Sequence, residues 1–294
     1  MIDLISDCLI DAAKDTIKLL PFLFVTYLIM EALERHTEEK SEELIQQKNS
    51  GILGPILGAL SGIVPMCGFS AAASSLYSGG LISVGTLIAV FLSTSDEMLP
   101  LLISSHVNAT SIFSILVSKA VIAMITGFAL DFLLKKILHR NVEAKHIHDL
   151  CEEEHCGCEE EEGGIFRSAL IHTLHITVFV FLITFVLNLI MEGIGDETLK
   201  TFLAGKPVSG IFLCAAIGLI PNCASSILIT TLYLEELITA AQMMSGLLVT
   251  TGLGLMILFR TNTRHMRENI KITILLYCCS VFWGLLLTLV DLPF

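Results

Sequence analysis

The chain has 294 residues, of which 54% are hydrophobic and 16% charged, with a mean hydropathy of +0.79. Soluble domains average about a quarter charged residues, so the composition excludes an ordinary globular enzyme and a disordered chain. The formal net charge of -12 excludes nucleic acid as a partner, because a phosphate backbone would be repelled. Apolar stretches of roughly 20 residues, long enough to cross a hydrocarbon core, recur along the whole length. They predict an all-α, polytopic integral membrane protein whose first partner is the lipid bilayer.

In chain order the apolar segments cover 12–33, 52–77, 80–106, 110–134, 166–192, 208–232, 236–259 and 270–291. Met1 to Asp11 lacks the cationic start of a cleaved signal peptide, so the first segment is expected to stay as a membrane helix. Asp96 and Glu97 interrupt 80–106, and the remaining stretch, Met98 to His106, is too short to cross at about 1.5 Å per residue. That piece is expected to be a broken or re-entrant element lining a cavity. The nine cysteines are an odd number, most of them in or beside apolar segments, and read as reduced thiols rather than a disulfide framework.

An internal repeat organises the rest. At a constant offset of 156, Gly54 answers Gly210, Gly62 answers Gly218, Pro65 answers Pro221 and Cys67 answers Cys223. The match continues through Ser70 and Ser226, Leu76 and Leu232, Tyr77 and Tyr233, and Thr94 and Thr250. The opening helices agree as well, Leu28-Ile-Met-Glu31 with Leu189-Ile-Met-Glu192. The predicted organisation is a first transmembrane repeat over 1–135, an inter-repeat loop over 136–165 and a second repeat over 166–294. Lys and Arg beside the loops 34–50, 135–167 and 260–271 place all three in the cytoplasm. An odd number of crossings per half then inverts the second repeat, an arrangement common among secondary transporters.

Each repeat begins with small residues four apart, Gly54, Gly58 and Gly62, then Gly210, Cys214 and Gly218. That stripe lets a neighbouring backbone approach closely, and Cys214 reads as a filler within it. The motifs Pro65-Met66-Cys67 and Pro221-Asn222-Cys223 come next. Proline removes a helix donor and clashes with the preceding turn, so both helices are expected to break there. Two breaks related by pseudo-symmetry predict a binding site in the middle of the membrane. Cys67 and Cys223 are its candidate soft ligands, with Ser70, Ser226 and Asn222 as oxygen ligands. The bland alternative makes the prolines kinks, the thiols fillers and the hydroxyls backbone caps.

Ionisable groups inside a membrane are costly, about 2.5–3.5 kcal/mol each at the centre. Lys119 stands in the middle of 110–134, and its repeat counterpart is Leu275. It is expected to be neutral, to face a water-filled cavity, or to pair with Asp96 or Glu97, forming a gate or proton couple. His172 and His175 at i, i+3 suit a metal or proton relay and equally a solvated helix end. The loop contains His146, His148, Cys151, His155, Cys156 and Cys158 among runs of glutamate. Thiolate, imidazole and carboxylate together suit Zn²⁺ and softer ions, against the alternative of an acidic linker.

On the paired Val64-Pro-Met-Cys67 and Ile220-Pro-Asn-Cys223 elements and the stretch Ser93-Thr-Ser-Asp-Glu97, the chain resembles the ten-helix heavy-metal exporters. These are related to arsenic-efflux permeases and often labelled manganese transporters. The resemblance implies export of a divalent metal or metalloid ion as substrate, with no cofactor required. Arsenic-efflux relatives have richer cysteine motifs, of which Cys67 and Cys223 match here. No nucleotide-binding loop is present, so coupling to protons is expected. The alternatives are an anion or small-solute permease that uses half-helix termini and, further off, an intramembrane enzyme. A multi-pass plasma-membrane location is expected, and a homodimer stays open.

Overall fold

The computed structural model describes residues 53–64, 67–95, 98–138 and 207–290, with helical residues scattered over 9–28 and 170–186. The elements of the first half are α1 (Leu53–Ser61), α2 (Cys67–Ser78), α3 (Val84–Ser93), α4 (Met98–Ser104) and α5 (Ala109–Leu138). Those of the second are α6 (Pro207–Gly218), α7 (Cys223–Leu234), α8 (Ala240–Val249), α9 (Gly254–Thr261) and α10 (Met266–Val290), with a 3₁₀ turn at Thr263–His265. Adding 156 to the bounds of α2 and α3 gives those of α7 and α8. The turn before α3 is repeated too. Gly80 and Glu236 share a left-handed backbone (φ 75° and 59°), which costs a residue with a Cβ more than glycine. Ser83 and Thr239 then cap the next helix, accepting from the amides of Thr86 and Gln242.

Small residues set the layers. α1 lies alongside α3 in the same direction, Gly58 against Thr86 and Gly62 against Val90 and Ser93. α2 ends at Ser78, with five residues between it and the start of α3 at Val84, so α1 and α2 form a hairpin that returns to the end it started from. α3 and α4 instead make one interrupted span, and α5 runs back beside it, with Gly127 against Gly85. In the second half Gly218 and Cys214 contact the backbone of α8 around Gly246, which is the filler role the sequence suggests for Cys214. Four stretches among the described residues are long and apolar enough to cross a membrane: Val84–Ser104, Ala109–Leu134, Ala240–Thr261 and Met266–Leu289. Two of these are the interrupted spans, as expected for 80–106.

The halves interlock. α2 packs along α9, and α7 against α4. The Ser74 hydroxyl donates to the Gly254 carbonyl at 2.6 Å, and Ser78 and Thr261 share a hydroxyl hydrogen bond of 2.6 Å. The Trp283 indole N–H donates to Thr126 Oγ1 at 2.9 Å, which ties α10 to α5. Because a Cβ on Gly58 would fall 2.9 Å from the Thr86 carbonyl oxygen, Gly58→Leu should cost about 1–3 kcal/mol through overpacking. Thermal melting in detergent checks this, with Leu57→Ala, on the exposed face of the same helix, expected to melt close to wild type.

Candidate functional site

The interruptions of the two spans come together around one side chain. α3 stops at Ser93 with Thr94 as its C-cap, and α8 stops at Val249 with Thr250 as its C-cap. Thr94 and Thr250 occupy equivalent positions and bond alike, each hydroxyl donating to the carbonyl four residues back, Val90 at 2.8 Å and Gly246 at 2.9 Å. Ser93, Ser95 and Thr251 beside them are buried as well. The last four carbonyls of a helix have no partner inside it. Here a lysine from α5 supplies donors. Lys119 is 1% exposed, and its ammonium donates to the carbonyl oxygens of Thr94 and, at 3.0 Å, of Leu247. One cation thus joins the interrupted helices of both halves, a partner set that the sequence does not suggest.

Cys67 and Cys223 open α2 and α7, and Pro221 lies in the half-buried turn before α7. Asn222 is buried, and its side-chain oxygen caps α7 by accepting from the Ala224 amide at 3.2 Å. The Ser225 hydroxyl adds a 2.7 Å bond to the Asn222 carbonyl. Ser70 is buried beside Gly254 at the start of α9, and Ser226 is buried in α7, where its carbonyl accepts from Thr230. His175 sits on a helical turn with its side chain exposed.

Several sequence candidates lie outside the described residues: Pro65, Asp96, Glu97, His172, His146, His148, Cys151, His155, Cys156 and Cys158, and the side chains of Cys67 and Cys223. Among the described residues no three His, Cys, Asp or Glu side chains stand close enough to hold a metal ion.

Two polar features escape the sequence reading. Asp131 on α5 accepts from the Ser83 hydroxyl at 2.7 Å and the Gly85 amide at 2.9 Å, placing a carboxylate at the positive end of α3. Its counterpart is Leu287, and α8 closes its own start with a capping box between Thr239 and Gln242. An aspartate inside the apolar segment 110–134 was the one signal that could have found it. Next, the buried Tyr77 donates its hydroxyl to Glu268 Oε1 at 2.6 Å, joining the far end of α2 to the first turn of α10. Glu268 has Ile112 as its counterpart, so its spacing gives no hint of the contact.

Interrupted spans, helical hairpins and a buried lysine between the halves define a polytopic helical membrane protein. The chain belongs to the family described as "Putative, 10TM heavy-metal exporter", whose model matches residues 4–163. No curated protein matches the chain, and no solved structure does. Tyr77→Phe should remove the bond to Glu268 and cost about 1 kcal/mol, seen as a lowered melting midpoint. An unchanged midpoint would mean that this contact between the halves contributes nothing to stability.

Proposed function

We propose that the protein is a secondary transporter that exports a divalent heavy-metal or metalloid cation across the plasma membrane in exchange for protons. The observation that supports this best is the meeting of two equivalent interrupted helices, α3 and α8, at the buried Lys119. Broken helices near the middle of the span are where such transporters bind their cargo. The reading assigns the cargo path to Cys67, Cys223, Ser70, Ser226 and Asn222, with Asp96, Glu97 and Lys119 as the gate or proton couple.

Alternating access also favours two halves of opposite orientation. The helix directions support that reading. α2 leads away from its break towards the end where α1 and α3 start, whereas α9 leads away from the end where α8 starts. Ser70 against Gly254 and Ser78 against Thr261 make α2 and α9 run the same way. That relation favours α3 and α8 entering from opposite ends. The Lys and Arg residues around the loop 136–165 favour a cytoplasmic location for it, where its thiols and imidazoles would gather the ion before export. The half-helix starts at the Pro-x-Cys breaks would serve an anion instead, but at α7 the Asn222 side chain already occupies an amide there.

Purified protein in liposomes should move at least one of Mn²⁺, Zn²⁺ or Cd²⁺, faster with an opposing proton gradient and slower after a protonophore. No flux of any of the three would refute export of a divalent metal. Deleting residues 141–162 should leave a folded transporter with a shifted metal dose-response, whereas an unchanged dose-response would reduce the loop to a linker.

A further inference from the structure

We infer that the two interrupted helix ends form an oxygen-lined cation site, in which the Lys119 ammonium is the resident occupant and a hard divalent ion its competitor. The inference rests on the transport reading and adds oxygen ligands at the gate which that reading assigns to Lys119. The donors among the described residues are of one chemical kind. Thr94 and Leu247 offer carbonyl oxygens already directed at a positive charge, and Thr94 and Thr250 bring hydroxyls to the same two helix ends. Each helix end also contributes a partial negative charge of about half an elementary unit. Oxygen donors around a cation select hard ions such as Mg²⁺ and Mn²⁺, while thiolates select soft ones.

Lys119 reports what the site accepts. The ammonium is a compact charge with three donors and no acceptor, and at 1% exposure it is enclosed by protein. A second cation cannot share those oxygens at close range, because like charges repel strongly where water is excluded. The lysine must therefore withdraw from Thr94 and Leu247 before an ion takes its place. Its flexible four-carbon stem allows this, since a change of rotamer withdraws the ammonium while α5 keeps its packing against α3. Leu275 at the equivalent position of α10 cannot act in the same way, so one such cation serves the pair of breaks.

The test compares Mn²⁺ and Cd²⁺ binding to the purified full chain by calorimetry, with melting curves in parallel. Lys119→Met should bind Mn²⁺ at least tenfold more tightly than wild type, with a smaller gain for Cd²⁺. Lys119→Gln keeps a donor without the charge and should show the same preference. If either variant melts early, Mn²⁺ should restore its midpoint while leaving wild type little changed, because the ion replaces the missing ammonium. Lys119→Arg keeps the charge and should gain no affinity. Unchanged Mn²⁺ affinity in both neutral variants, a larger gain for Cd²⁺ than for Mn²⁺, or early melting that Mn²⁺ does not rescue would overturn the inference. These results are separable from the transport reading, which stands or falls on metal flux through the wild-type protein.

Discussion

A helix that stops inside a hydrocarbon layer leaves carbonyl oxygens that no solvent can reach, each costing several kcal/mol if unmatched. The architecture depends on the answer to that problem at Thr94 and Leu247. A lysine on α5 donates to both, so α3 and α8 can end midway and hand over to α4 and α9. The arrangement solves a second problem as well. An ammonium in an apolar helix needs acceptors of its own, and freed carbonyls at negative helix ends are the best a backbone can offer. Neither the breaks nor the lysine would be tolerable alone.

Close packing of the remaining elements is a matter of side-chain size. Glycines on α1 and α5 sit against the backbone of α3, and Gly254 admits Ser70 at the start of α9. Hydroxyl and indole groups then hold the halves together at defined points: Ser74 on Gly254, Ser78 on Thr261, Tyr77 on Glu268 and Trp283 on Thr126. In lipid, where apolar burial gives little preference between helices, close contact and hydrogen bonds of this kind supply most of the association energy. Within the hairpin, α1 packs on α3 of its own half while α2 packs along α9 of the other.

The duplicated frame is symmetric and its chemistry is not. Thr94 and Thr250 cap equivalent helices in the same manner, yet Lys119 is matched by Leu275 and Asp131 by Leu287. The two equivalent helix ends, through the carbonyls of Thr94 and Leu247, thus share the one Lys119 ammonium.

Much of this was legible from residues alone. Apolar segment length gave the membrane class, the offset of 156 gave the matching elements, and small residues four apart marked the close contacts. The sequence also singled out Lys119, because a charge in the middle of an apolar helix is costly wherever it sits. It could not name the partners of that charge. Carbonyl acceptors carry no side-chain signature, and Leu247 lies 128 residues away. Nor could it foresee Asp131 capping α3, or Tyr77 meeting Glu268, since neither pair repeats between the halves. Local pattern decides where helices start and stop, because that is a matter of nearby donors, turns and hydrophobicity. Which freed backbone group meets which side chain is decided only when distant helices pack, and that is where Thr94, Leu247 and Lys119 become one site.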